Sequence, residues 1–166
     1  MSSQPSDPWE NQPYMYSKPS GPRNLKIWRE KWGDYILEHA EESNLLLVNL
    51  LDLKNSKPFN RLNMESFMDL IEYLNGIGRV SWWDKKKESL RIHFLSLDKW
   101  AEIIFNAAVD NHKNIIYGYE GVYDLEPRTR DMPTKDIEAI MGIWVKNKKA
   151  RWVEPKNKIL KISVDY

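Results

Sequence analysis

The side chains that could catalyse a reaction or bind a metal are scattered through this sequence. His39, His93 and His112 lie far apart, and the chain contains no cysteine. Because a zinc site gathers several histidine or cysteine ligands at short spacing, each isolated histidine is better explained as a surface or core-edge residue. The lack of cysteine also excludes disulfides and thiol catalysis, and it is typical of a reducing compartment. We therefore predict no metal site.

The other candidates for chemistry have structural explanations. Glu41 and Glu42 are typical of a solvated helix face, and so are Asp136 and Glu138. The glycines follow a predicted helix or lie in a connection, where they form no phosphate-binding loop, and no serine lies in a nucleophile elbow. The sequence therefore predicts a non-enzymatic protein with no catalytic residue and no cofactor.

Charge is balanced over the whole chain but not along it. The formal net charge is +1, which gives no overall attraction to nucleic acid or to an anionic membrane. Residues 146–161, called the basic wing below, combine one acidic residue, Glu154, with seven basic ones: Lys146, Lys148, Lys149, Arg151, Lys156, Lys158 and Lys161. This run is either a solvated surface or a patch for an acidic protein helix or acidic lipid.

The first 21 residues, called the tail below, lack the periodicity of a helix or a strand. Prolines alternate there with large apolar side chains: Pro5, Pro8, Trp9, Pro13, Tyr14, Met15, Tyr16 and Pro19. Prolines favour an extended backbone. The tail is therefore either a disordered terminus or an extended peptide whose rings fill apolar pockets on another protein. It lacks the complete Pro-Pro-x-Tyr of a WW-domain ligand.

The rest of the chain reads as two copies of one pattern. Apolar spacing predicts a helix from Pro22 to near Ser43, a short strand at 45–48, a helix at 64–75 and a hairpin at 80–94. The core face of the second helix is predicted to be Met64, Phe67, Met68, Ile71 and Leu74. The order then recurs, with a helix at 98–111, a strand at 115–117, a brief helix at 119–125, a helix opened by Pro133 and a hairpin at 150–164.

Helix, strand, helix, helix and hairpin is the order of a winged helix. The two hairpins align as "VSWWDKKKESLRIHF" and "RWVEPKNKILKISV", which makes the pattern an internal repeat. We predict an α+β fold of two tandem winged-helix domains with an extended N-terminal tail. The predicted boundaries are 1–21 for the tail, 22–95 for the first domain and 96–166 for the second.

Winged helices often bind DNA through their third helix, whose outward face then carries basic or amide side chains. The corresponding face of the first domain is predicted to present Glu65, Ser66, Asp69 and Glu72, and its carboxylates would repel phosphate. We therefore expect no direct contact with nucleic acid. A transcription-associated, nucleic-acid-binding winged-helix protein is kept as the alternative, because the basic wing favours it.

Three segments resemble the vacuolar protein sorting-associated protein 25 family, a subunit of the ESCRT-II complex. Residues 59–107 contain the order Phe-Asn, a tryptophan-containing hairpin and a Trp-x-x-Ile-Ile segment that this family shows. Residues 12–20 resemble its Pro-Pro-aromatic motif, with Gln12 in place of the first proline. Residues 117–122 resemble a further family segment, whereas the connection at 124–132 is shorter and more basic than in the family.

The resemblance implies a non-enzymatic adaptor that sorts ubiquitinated cargo into multivesicular bodies. It implies two copies of the chain per ESCRT-II complex, each docked on the other two ESCRT-II subunits through Pro13, Tyr14, Met15 and Tyr16. The second domain would recruit an ESCRT-III subunit by binding one of its helices. The candidate residues for that contact are Tyr117, Tyr119, Trp144, Lys148 and Arg151. The alternative for Trp144 is that it is a core residue.

The expected location follows from the resemblance and from the apolar pattern. No signal-peptide pattern begins the sequence, and no apolar run approaches the length of a membrane span. We expect a cytoplasmic protein that reaches the endosomal membrane indirectly, through its partners. A nuclear location belongs to the transcription-associated alternative.

Overall fold

The computed structural model describes residues 11–163, and the chain divides between Phe94 and Leu95 into two compact units. The first contains α1 (Pro22–Ser43), β1 (Leu47–Asn49), α2 (Leu50–Asn55), a 3₁₀ turn (Phe59–Arg61), α3 (Met64–Gly76), β2 (Val80–Trp82) and β3 (Ser89–Ile92). The second contains α4 (Leu97–Asp110), β4 (Ile115–Tyr117), α5 (Gly118–Leu125), a 3₁₀ turn (Pro127–Asp131), α6 (Thr134–Lys146), β5 (Ala150–Glu154) and β6 (Ile159–Ile162). The prediction for Pro5, Pro8 and Trp9 lies outside the described residues.

Each unit holds one three-stranded antiparallel sheet. The strand order is β1-β3-β2 in the first unit and β4-β6-β5 in the second, so the hairpin supplies two strands and the short strand after the first helix joins at one edge. Three helices cover each sheet in the chain order of a winged helix. The predicted fold class, two tandem winged-helix domains, is confirmed.

The repeat extends to the backbone conformation of the turns. Apart from Gly118, the described residues with positive φ occur in pairs at equivalent turns of the two domains: Asn44 and His112 (φ 52° and 54°), Gly78 and Lys148 (78° and 59°), and Lys87 and Lys158 (58° and 56°). A left-handed conformation costs a residue with a Cβ more than it costs glycine. The second domain therefore keeps the turn geometry with lysine where the first has glycine.

Local chemistry explains where the helices begin. Pro22 occupies the first turn of α1, where its missing N–H costs nothing. The side chains of Asn63 and Ser96 accept backbone N–H groups at the starts of α3 and α4. Asn49 does the same for α2, which forms where the sequence pattern predicts no helix.

Each domain packs its own core. In the first, Phe59 contacts the rings of Trp32, Tyr35 and Phe67 at centroid distances of 6.0, 5.8 and 6.4 Å. In the second, the fully buried tryptophans are Trp100 and Trp144. Aromatic side chains of this size supply much of the apolar area that such small domains must bury.

Two predictions for α3 were wrong. Met64 was assigned to the core face and is exposed, whereas Ser66 was assigned to the outward face and is buried. Met64 is the first residue of the helix, beside the capping residue Asn63, whose side chain accepts the Ser66 N–H at 2.8 Å. The buried stripe consequently starts within the first turn and includes Leu70, which the prediction omitted.

Candidate partner-docking sites

The described part of the tail is not uniformly extended. Gln12 and Ser17 have extended backbone angles, but Pro13–Tyr16 between them forms one 3₁₀ turn. The turn lets Met15 reach the interior, where its side chain is only 3% exposed. Burying this apolar side chain stabilises a conformation that local propensity alone does not predict.

A pair of indole groups anchors the tail at Met15. The Met15 carbonyl oxygen accepts one hydrogen bond from Trp28 Nε1 at 2.8 Å and another from Trp32 Nε1 at 2.7 Å. Residues four apart on a helix project from the same face, so α1 presents both donors to one acceptor. Both bonds are buried, and buried hydrogen bonds of this kind are costly to break.

Flanking contacts hold the tail on the C-terminal side of Met15. The Tyr16 ring lies edge-on to Trp32, with centroids 5.6 Å apart, and the Arg61 guanidinium stands 3.9 Å from the centroid of the same tyrosine ring. Lys18 Nζ lies 2.7 Å from Asp69 Oδ2 on α3. These contacts combine edge-to-face aromatic packing, cation–π attraction and an ion pair.

Asp69 is the charged centre of this region. Arg29 donates to both of its carboxylate oxygens, at 2.7 and 2.8 Å. This bidentate bond, and then the bond from Lys18, hold the pKa of Asp69 below its usual value despite partial burial. The same bond to Asp69 raises the pKa of Arg29. The carboxylate therefore stays ionised and ties the tail, α1 and α3 together.

Tyr14 is a large tail side chain that faces solvent, at 64% exposure. It borders a cleft of about 510 Å³ whose walls include Pro19, Ile27 and Trp28. Ile27 is also exposed, and the sequence pattern did not single it out because it falls outside the apolar period of α1. Pro13 is exposed as well, whereas Met15 offers almost no side-chain surface.

The second domain exposes an apolar edge around β4. Tyr117 is 64% exposed and Ile115 is also exposed on this edge strand. Both line a cleft of about 520 Å³ between β4 and α5. The Tyr119 hydroxyl group donates a hydrogen bond to Glu138 Oε1, and this bond raises the pKa of Tyr119. The structure thus brings Tyr117 to an open surface and ties Tyr119 to α6.

The basic wing places several cations together on the surface. Lys148 and Arg151 are exposed, and Arg151 lies directly opposite Lys161 in the β5–β6 register. Opposed like charges destabilise a sheet unless another charge compensates them. Two lysines of the wing also contact other side chains: Lys158 lies 3.9 Å from Glu138 and 5.6 Å from the Trp152 ring centroid, and Lys149 lies 5.0 Å from the Phe105 ring centroid.

Trp144 is a core residue in this structure. It is 1% exposed, and its Nε1 donates to the Ala101 carbonyl oxygen of α4 at 2.8 Å. This position corresponds to the alternative stated for Trp144 above. Because it offers no surface to a partner, we leave it out of the proposed site.

The described residues also bear on metal, membrane and DNA binding. Within residues 11–163, no group of three or more His, Cys, Asp and Glu side chains is arranged to hold a metal ion. No helix in that range combines the length and apolar composition that a bilayer span requires. Glu65 and Glu72 are exposed on α3, so the face that would enter a DNA groove is acidic.

Comparison with known proteins gives related matches in sequence and in fold. The vacuolar protein-sorting-associated protein 25 of Xenopus laevis is 28% identical over 80 residues, which cover 45% of this chain and 46% of that protein. The matched segment therefore spans less than half of this relative. No protein-family model matches the chain.

Two solved structures extend the likeness to nearly the whole chain. The VPS25 subunit of the endosomal trafficking complex ESCRT-II matches with a TM-score of 0.70 and 18% identity, over 95% of this chain and 98% of that one. A chain of the ESCRT-II crystal structure (VPS22/VPS25/VPS36) matches with a TM-score of 0.67 and 17% identity, over 98% and 100%. At these identities the structures establish the fold. Together with the sequence match, they confirm the predicted resemblance.

Proposed function

We propose that this chain is a non-enzymatic adaptor subunit of an ESCRT-II endosomal trafficking complex, of the VPS25 type. The observation that carries the proposal is the agreement of two comparisons. The sequence match and the fold match over 95% of the chain both lead to VPS25. Such an adaptor acts in the cytoplasm and reaches the endosomal membrane through its partners.

The tail and the first domain form the permanent contact with the other two ESCRT-II subunits. Tyr14 and Pro13 are the surface residues of this contact, and Ile27 extends the apolar area onto α1. Tyr16 contributes through its partly exposed ring, and Met15 supports the contact from within the domain. The presence of VPS22 and VPS36 in the matched complex supports these partners. Two copies of the chain per complex would add avidity at a membrane.

The second domain recruits an ESCRT-III subunit by binding one of its helices reversibly. Its surface combines apolar and basic character, since Tyr117 and Ile115 are exposed on β4 while Lys148 and Arg151 are exposed on the basic wing. An amphipathic helix with acidic flanks has the complementary chemistry. Tyr119 lies next to this surface and positions α5 through Glu138.

The experiment that tests the proposal is co-elution of the purified full-length chain with the other two ESCRT-II subunits. We expect a stable complex that contains two copies of this chain. Tyr14→Ala should weaken it, whereas Tyr117→Ala, which removes an equally exposed ring from the second domain, should not. A truncated chain that begins at Pro22 gives a less clean test, because the truncation also removes the buried Met15. No complex with the wild-type chain would overturn the proposal.

One observation favours the alternative, a nucleic-acid-binding winged-helix protein. Residues 146–161 carry seven basic side chains against one acidic. Phosphate contacts by such a cluster would give an affinity that falls steeply with salt. The acidic outward face of α3 and the exposed Glu138 on α6 disfavour groove reading. Titration of duplex DNA at two salt concentrations separates the alternatives, and we expect no specific binding.

A further inference from the structure

The anchor at Met15 fixes which way the side chains of the turn Pro13–Tyr16 point. In a 3₁₀ turn there are three residues per turn, so consecutive side chains project about 120° apart. With Met15 buried against α1, its neighbour Tyr14 must point away from the domain, and it is indeed the more exposed of the two tyrosines in this turn. The orientation of Tyr14 therefore depends on what holds Met15.

Met15 is held by its buried side chain and by a backbone contact. The two indole N–H groups of Trp28 and Trp32 converge on the Met15 carbonyl oxygen, and this contact does not require a particular side chain at residue 15. Tyr16 and Lys18 continue the attachment through Arg61 and Asp69. The described part of the tail is thus fastened from Met15 onwards, and the Tyr14 side chain projects from it into solvent.

We infer that Trp28 and Trp32 are positioning residues for partner binding, which pin the Met15 carbonyl and so present Tyr14, already oriented, beside the cleft at Ile27. The inference deepens the proposed function and rests on it. The docking element is then a composite of tail and α1, and the tail is not a free peptide that orders on its partner. Pre-organisation of this kind raises affinity because less conformational freedom is lost on binding.

A composite element makes a prediction that a free docking peptide does not. A synthetic peptide of residues 11–21 should bind the two partner subunits at least about tenfold more weakly than the full chain, because it lacks both the pre-set turn and the Ile27 surface. Equal affinity of the peptide and the chain would overturn the inference.

The indole donors can be removed without changing the shape of the core. Benzothienylalanine replaces the indole N–H by sulfur and keeps the ring size, so its incorporation at positions 28 and 32 of the full chain deletes the two hydrogen bonds alone. We expect the dissociation constant for the partner subunits to rise about tenfold, in line with the loss of buried hydrogen bonds. Tyr14→Ala should then cost less affinity in this background than in the wild type, because the two changes act on one element.

The chain supplies its own matched control. Trp144 makes the same kind of bond, from its indole N–H to the Ala101 carbonyl oxygen, but within the second domain and far along the chain from the tail. Benzothienylalanine at position 144 should lower the melting temperature and leave the affinity for the ESCRT-II partners unchanged. If this control weakened binding as much as the paired substitution, the role of Trp28 and Trp32 would be merely structural.

A readout without any partner separates this inference from the proposed function. Chymotrypsin cleaves after tyrosine, and we expect cleavage after Tyr16 to be slow in the wild-type chain and faster in the paired variant. Faster cleavage with unchanged affinity would overturn the inference while leaving the adaptor function intact. Failure of the wild-type chain to bind the partners would instead overturn the function, and with it the docking role of Tyr14, even if the tail proved to be pinned.

Discussion

The two domains share one backbone plan but use their tryptophans differently. In the first domain, the indole N–H groups of Trp28 and Trp32 donate to Met15, a residue of the tail that precedes the domain. In the second, the Trp144 N–H donates to Ala101, which belongs to the same repeat. The first domain therefore uses core indole groups to bind the tail, whereas the second uses its core indole group to join two of its own helices.

The same contrast appears on the two sheets. Arg91, in the central strand of the first sheet, is buried, and its guanidinium donates to the Leu46 carbonyl oxygen at 3.1 Å. Lys161, in the central strand of the second sheet, is exposed opposite Arg151. One sheet bonds its cation internally, and the other leaves two cations facing solvent.

The strongest way to break this comparison is to substitute Trp144. Trp144→Ala should destabilise the second domain by about 3–5 kcal/mol, because it leaves a large cavity and removes a buried hydrogen bond. Hydrogen exchange resolved by domain is the measurement, with Val153→Ala, at an exposed position of β5, as the control that should change little. Unchanged exchange together with lost ESCRT-III binding would mean that Trp144 contacts the partner after all.

A smaller effect concerns the ionic tie between the tail and the first domain. Asp69→Asn should lower the free energy of unfolding by about 1 kcal/mol, because it removes the negative charge that Arg29 and Lys18 share at a largely shielded site. Because the folded-state pKa of Asp69 is lowered, its contribution is fully present above its unfolded pKa of about 4 and is lost as the pH falls through the folded value.

The pH dependence provides the check on that prediction. Denaturant unfolding of the wild type and of Asp69→Asn should differ most above about pH 5 and should converge at strongly acidic pH. Asp84→Asn in the first hairpin is a useful reference, because Asp84 accepts backbone N–H groups of Glu88 and Ser89 within that hairpin. A gap between wild type and Asp69→Asn that persisted at low pH would contradict the ionic explanation.

The sequence predicted most of the fold because the fold depends on local patterns. The helix from Pro22 to Ser43, the two hairpins and the internal repeat follow from periodicity and turn residues. The anchor at Met15 could not be predicted in this way, since it joins residues 13 and 17 positions apart in the chain through a backbone oxygen that every residue type possesses. A missed signal did exist for α2, where Asn49 precedes a first turn that contains Asp52.

A local sequence pattern could not predict the burial of individual candidate residues either. Tyr14 and Met15 are neighbours of similar apolar character, yet one is exposed and the other buried. Which of the two side chains is buried depends on the position of α1 relative to the tail, and this position is a tertiary property. Tyr117 and Trp144 were both candidates for one surface, and only the packing of α6 against α4 separates them.

The smallest effect tests the turn that the two domains build from different residues. Gly78 has φ 78° and Lys148, its counterpart, has φ 59°. Nothing lies within 4 Å of the Cβ that Gly78→Ala would add, so that substitution isolates the conformational cost, about 1 kcal/mol. Lys148→Gly should stabilise the second domain by about 0.5 kcal/mol, because relief of the left-handed strain exceeds the added entropy of the unfolded chain. Chemical denaturation of both variants is the measurement, and Gly76→Ala, at a helical position with equally open space, should be neutral or stabilising. If Gly78→Ala were harmless as well, the positive φ would not be required there, and the two turns would not depend on the same backbone conformation.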